Sequence, residues 1–327
     1  MTKPPKMEPM MDLLPLERES AATIEALRQD VAQLAARLED VARVVTSGYH
    51  ENLFWLRRIH NSSAIYLGEH VALTHLSNGC RDYIDTRSKD VGVHILQTGT
   101  WETPYTEAFK SLLRPGARVV DVGANLGWYA LVAAPIVGRE GRVYAVEPNP
   151  ELARMVYWSL RTNGFGAFSK VFEVAVGDVP DVVDLVSRPD MPGGGYIRPT
   201  VHTVEDPAPS TTRVASVPLD TLLAEEPEPI DVLKMDVEGW EGMAIRGLRA
   251  TMDRSPGLRM LIEWSTQQDG SPAPRAEMAA TLEARGYTPH RIDGQGQLIR
   301  AEWATLLGET ALINLVLLPR GDAMLGG

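Results

Sequence analysis

The sequence predicts a doubly wound α/β fold, on three observations. From about residue 105 onward, short near-continuous Val/Leu/Ile runs alternate with helical stretches, as in a sheet covered on both faces. Several runs end in an acid or a glycine turn: Asp121-Val122-Gly123, Val146-Glu147-Pro148, Met235-Asp236 and Ile262-Glu263. Open α/β sheets bind their ligands at those carboxyl ends. Finally, 327 residues with 44% hydrophobic and 23% charged composition can bury a large core without covalent help.

Taken in order, residues 1–19 are rich in Pro, Met and charge and read as a disordered lead without the apolar core of a secretory signal. Residues 20–60 read as helical. Ile24, Leu27, Val31, Leu34, Leu38, Val41 and Val45 follow an a/d heptad seam, with Ser20 as its cap and Ser47-Gly48 as its stop. The β-branched residues at a and leucines at d lean towards a parallel dimer through residues 20–45, with packing on the chain's own domain as the alternative. A second helix is expected at Asn52–Ile59. Residues 61–104 form a strand-rich preface with runs at 64–67, 71–76 and Val91–Leu96, and a tight turn at Asn78-Gly79. Residues 105–327 make up the main domain. Within it, Met191–Thr212 carries Gly193-Gly194-Gly195 and reads as a long loop, the kind that often serves as a lid.

Composition narrows the function classes. A net charge of −11 weighs against retention on nucleic acid or an anionic membrane by bulk charge. A single cysteine, Cys80, excludes a disulfide framework and a Cys-rich zinc site. No run approaches the ~18 apolar residues of a membrane span. A cytoplasmic protein with neither nucleic-acid nor membrane partners is expected.

The chemistry is concentrated at two blocks. In Asp121-Val122-Gly123-Ala124-Asn125-Leu126-Gly127 a strand runs into a small-residue turn and then a helix. There the backbone can approach a ligand closely, and helix N–H groups are free. About 20 residues on, Glu147 of Glu147-Pro148-Asn149 is spaced to bind ribose hydroxyls. The spacing is not G-x-G-x-x-G, and a carboxylate beneath the turn suits a cationic amino acid better than a pyrophosphate. S-adenosylmethionine, with its sulfonium and ammonium, fits. Asp178 ends the next strand, where it can accept from an adenine amino group. The second block, Lys234-Met235-Asp236-Val237-Glu238-Gly239-Trp240-Glu241, turns at Gly239. With Glu263 on the next strand, Asp236 and Glu238 can remove a hydroxyl proton or hold a divalent cation such as Mg²⁺. Glu241 is expected to point outward on the following helix. His202 lies in the glycine-rich loop as a solvated side chain.

These blocks, with Ala175-Val176-Gly177-Asp178 and Val217-Pro218-Leu219-Asp220, resemble the FkbM-type methyltransferases, a class I family dependent on S-adenosylmethionine. The likeness runs from about Val91 through Leu318. It implies a seven-stranded Rossmann-like domain, transfer of a methyl group to a hydroxyl of a sugar, glycan or polyketide-type product, and a cofactor wall that includes Glu102. The family commonly has a small residue where Trp240 stands. Two other readings stay open: a nicotinamide-dependent oxidoreductase on the same fold, and a non-catalytic assembly protein working through its heptad helix.

Overall fold

The computed structural model describes residues 14–61, 64–188, 190–197, 210–226, 228–264 and 273–326. The chain divides into two compact units after Leu56. One helix, α1 (Leu14–Asn61), spans 48 residues. It is helical from the first described residue, so Leu14–Glu19 is not a disordered lead and Ser20 is interior rather than a cap. Ser47-Gly48 does not stop it either. A lone glycine costs a helix about 1 kcal/mol, which helix formers on both sides, Ala42 and Arg43 before it and Glu51 and Leu53 after, offset. Leu27, Val31, Leu34, Leu38, Val41 and Val45 are each more than half exposed.

After the end of α1, the second unit continues with an antiparallel sheet of β1 (Ile65–Gly68), β2 (Val71–His75) and β3 (Arg81–Asp85). Next come α2 (Val91–Thr98) and α3 (Thr103–Leu112). The strand expected at Val91–Leu96 is therefore a helix. Val91 and Ile95, four apart, share a buried face, and Ser88 Oγ accepts the Gly92 N–H at 3.0 Å to start the turn. Ile84, Val91 and Ile95 sit in the same core as the main sheet.

That sheet starts with β4 (Arg118–Val122), α4 (Trp128–Val137), β5 (Arg142–Val146), α5 (Pro150–Thr162) and β6 (Ser169–Phe172). The chain then leaves it to build a second sheet from β7 (Ala175–Val176), β8 (Asp181–Arg188), β9 (Met191–Ile197) and β10 (Ser210–Val217). Met191–Ile197 is thus a strand, held against β8, where a loop was expected; residues 198–209, His202 among them, lie outside the described residues. A short helix, α6 (Leu219–Leu222), leads back to β11 (Val232–Met235), α7 (Glu241–Arg246), α8 (Arg249–Arg254) and β12 (Arg259–Trp264). Last come α9 (Ala273–Ala284), β13 (Thr288–Ile292), β14 (Leu298–Arg300), α10 (Trp303–Leu307) and β15 (Ile313–Leu318).

The large sheet is ordered β14-β13-β15-β12-β11-β4-β5-β6. It is the expected seven-stranded doubly wound sheet with a short edge strand, β14, added. Strands β6, β5, β4, β11 and β12 are parallel, and β15 runs antiparallel to both its neighbours. Apolar clusters fill both faces. The winding reverses between β4 and β11, so their carboxyl ends border the crevice where such sheets take ligands. Register pairs Asp121 with Ala145 and Lys234, and Lys234 with Leu261. Two residues further along, strand periodicity brings Glu147 and Glu263 to the same face.

Candidate active site

The loop after β4 is held in place by its conformation and its neighbours. Gly123 takes φ +72°, and a Cβ there would stand 1.7 Å from the Asp236 carbonyl oxygen. Only glycine permits that approach. Asn125, also left-handed at φ +52°, donates its N–H to Glu147 Oε2 at 2.8 Å, while Asn149 N–H donates to Oε1 at 2.9 Å. Beneath the loop, Asp121 Oδ2 accepts the Ala130 N–H of α4 at 2.9 Å. Burial pushes Glu147 up to about 7 and Asp121 up to about 6. Each Glu147 oxygen retains a further lone-pair direction for a ligand hydroxyl. Asn125 Oδ1 is buried without a partner among the described residues, as expected for a cradle that receives a polar ligand.

Lys234 links this loop to the next block. Its Nζ lies 3.4 Å from the Gly123 carbonyl and 3.4 Å from Asp236 Oδ2, and 5.0 Å from the centre of the Tyr129 ring. Burial opposes its charge, but the carboxylates of Asp236, Asp121 and Glu102 outweigh that and hold its pKa above the usual range. Tyr129 in turn donates to Glu102 Oε2 at 2.7 Å.

At the end of β11 the chain turns sharply, with Glu238 at φ +53° and Gly239 at φ +93°. The turn leaves Glu238 on the exposed rim, and it folds Glu241 inward. Glu241 is 3% exposed, and its Oε1 accepts from Val237 N–H at 3.0 Å and Gly239 N–H at 3.3 Å. The expectation that Glu241 points outward is overturned: it closes the turn that begins its own helix. Oxygens of Asp236, Glu241 and Glu263 lie within 4.8 Å of one another. Glu241, not Glu238, is therefore the third member of the converging acids. Burial, joined by the charges of Asp236, Glu241 and Glu238, pushes Glu263 up to about 9. Desolvation of its carboxyl at the cavity mouth and the charges of Asp236 and Glu241 raise Glu238 to about 7. The signal for Glu241 in the sequence was its position just past Gly239, within reach of the turn's free N–H groups.

One cavity of about 400 Å³ joins the two blocks, within the size range of small-molecule sites. Glu102, Gly123, Ala124, Asn125 and Glu147-Pro148-Asn149 line one part of it, and Asp236, Glu238 and Glu263 another. Strand β9 closes over the loop: a Cβ on Gly193 would stand 2.1 Å from Asn125 Nδ2. Trp240 lines the cavity with its Nε1 buried and unpartnered among the described residues, and its ring packs on the small core of the second sheet. Three expected cofactor residues do not line it. Asp121 lies beneath the loop, Gly127 makes room for Val156, and Asp178 leaves the main sheet with β7 to sit near Arg246. Sequence reasoning missed Tyr129 as the partner of Glu102, and missed the wall formed by β9.

A family model described as the methyltransferase FkbM domain matches residues 121–289, just over half of the chain. A protein-L-isoaspartate O-methyltransferase of Methanopyrus kandleri is 34% identical over 105 residues, covering 26% of this chain and 45% of that protein. The ribosomal RNA large subunit methyltransferase E of Acidithiobacillus ferrooxidans is 36% identical over 109 residues, covering 32% of this chain and 40% of that protein. The chain thus spans less than half the length of these two relatives. A solved O-methyltransferase of Bacillus cereus in complex with SAH aligns with 68% of this chain and 82% of its own, at 13% identity and a TM-score of 0.39.

Proposed function

Because the chain belongs to the FkbM-type family of S-adenosylmethionine-dependent methyltransferases, we propose that it methylates a hydroxyl of a sugar, glycan or polyketide-type small molecule. The observation that carries this reading is the single cavity shared by the glycine loop and the acids at the ends of β11 and β12. Bound S-adenosylmethionine supplies a methyl group on a sulfonium. The Asn125 backbone, Glu147 and Asn149 hold its nucleoside, and Glu102 lies along the same wall. An alcohol attacks only as its proton leaves. Asp236, the partly exposed member of the acids and 3.4 Å from Lys234, takes that proton, with Glu263 and the rim acid Glu238 orienting the hydroxyl. In that transfer the C–O bond would form as the C–S bond breaks, with S-adenosylhomocysteine as the leaving group. A carboxylate-lined mouth disfavours phosphate-bearing acceptors such as nucleic acid, and the oxidoreductase alternative loses its ground with the family. Incubation of the protein with labelled S-adenosylmethionine and the native host's small molecules and glycans tests the reading. Label in a neutral hydroxylated compound is expected; label confined to protein or RNA would overturn it.

The exposed seam of α1 supports assembly as a homodimer through residues 20–45. An isolated helix gains little from such a stripe in water, whereas a second copy buries it. Among the described residues, no helix is long and apolar enough to cross a membrane. Leu27→Glu with Leu34→Glu in the full chain should halve the mass seen by light scattering; an unchanged mass would refute pairing through the seam.

A further inference from the structure

Four carboxyl groups crowd the β11–β12 end. Asp236, Glu241 and Glu263 bring oxygens within 4.8 Å of one another, and Glu238 stands on the rim. The cation beside them is Lys234, which reaches Asp236 at 3.4 Å and is also engaged by the Gly123 carbonyl. Glu241 spends Oε1 on two backbone N–H groups of its own turn. Glu263 is different. It is only 6% exposed, lines the cavity, and its Oε2 is buried with no hydrogen-bond partner among the described residues. Beside it on β15, Asn314 is its antiparallel register partner, yet that oxygen stays unmet. A buried acceptor left unmet on an acid that converges with two others is met by a cationic ligand.

We propose that Asp236, Glu241 and Glu263 together hold one hard, oxygen-seeking divalent cation of the Mg²⁺, Mn²⁺ or Ca²⁺ class. Carboxylate oxygens on three separate positions, with no His or Cys among them, select that class over zinc or copper. The spacing allows the oxygens to share one ion, and the cavity leaves its remaining positions to water or an acceptor oxygen. Sequence alone pointed to Glu238 as the third ligand; the turn at Gly239 substitutes Glu241. The role of the ion in methyl transfer rests on the reading of this cavity given above, but its binding does not.

Tb³⁺ luminescence tests the binding directly, because Trp240 lines the same cavity and can sensitise a lanthanide bound there. Titration of the full-length protein should give a saturable signal, displaced by Ca²⁺ or Mn²⁺. Glu263→Gln and Asp236→Asn should each weaken it at least tenfold while S-adenosylhomocysteine affinity, measured on the same samples, is retained; Glu238→Gln should keep it. No saturable signal from the wild-type protein, with or without S-adenosylhomocysteine, overturns the site. So does a signal lost equally in Glu238→Gln, which would mean diffuse attraction to an acidic rim. Label transfer that persists in EDTA, together with absent Tb³⁺ binding, removes the cation and leaves the methyltransferase reading standing.

Discussion

The two parts of the cavity treat their carboxylates differently. Around the glycine loop, Glu147 accepts an N–H on each oxygen and Asp121 accepts one from α4. At the β11–β12 end three acids converge, and Glu263 Oε2 has no partner among the described residues. The first set is built into the backbone that shapes the loop, so it is pre-organised before any ligand arrives. The second set is poised for charge or proton arriving from outside the chain. Shape is stored on one side and reactivity on the other.

The largest effect should come from the residue where the two parts touch. Gly123→Ala places a methyl 1.7 Å from the Asp236 carbonyl, at φ +72°. Backbone must move, and a loss above about 4 kcal/mol is expected; thermal melting near wild type would break the link drawn between loop and acids. Next, Asp236→Asn keeps the shape of the acid side but removes its charge. Turnover should fall by roughly 10²–10⁴-fold while S-adenosylhomocysteine affinity, read by calorimetry, stays within a few-fold. Equal losses in both would erase the division. On the loop side, Glu147→Ala should cost about 1.5–3 kcal/mol of cofactor affinity, and it should loosen the loop by freeing the N–H groups of Asn125 and Asn149.

The smallest effect concerns an acid outside the cavity. Asp82 is fully buried between β3 and α5, accepts from Ser159 Oγ at 2.8 Å, and burial pushes it up to about 8. The native chain therefore keeps this proton up to about pH 8, whereas an unfolded chain releases it near the usual ~4. More protons are bound by the native state across that window, so stability falls as pH rises from about 4 to 8. Asp121 and Glu147 add slopes of the same sign, over windows ending near 6 and 7. Asp82→Asn should flatten part of the slope in melting temperature without changing cofactor affinity. If affinity changed too, Asp82 would belong functionally with the cavity acids.

Much of this was legible in the chain itself. Val119-Val120-Asp121 and Leu233-Lys234-Met235 read as strands because near-continuous apolar runs have one destination, a sheet covered on both faces. The glycine turn, Glu147, and the acids Asp236 and Glu263 could be placed at strand ends by spacing alone, since strand periodicity fixes the face of a side chain relative to its neighbours. The family motif covers the same segments. Where two periods competed, sequence was less decisive: Val91–Leu96 alternates like a strand, yet Val91 and Ile95 turn one helical face onto the core. Gly48 looks like a stop, but helix formers on both sides carry α1 through it.

What the sequence by itself determined is therefore the order of strands and helices and the acids at their ends, because these follow from local propensity and from a period of two. Only the tertiary structure decided which acids meet. Two successive left-handed residues, Glu238 and Gly239, reverse the chain within a single turn, sending Glu238 to the rim and bringing Glu241 to its own backbone N–H groups. Likewise β9, paired with β8, supplies a cavity wall from a segment whose glycines read as a loop. Backbone dihedrals at a turn, and pairing between distant strands, depend on what the rest of the fold places nearby.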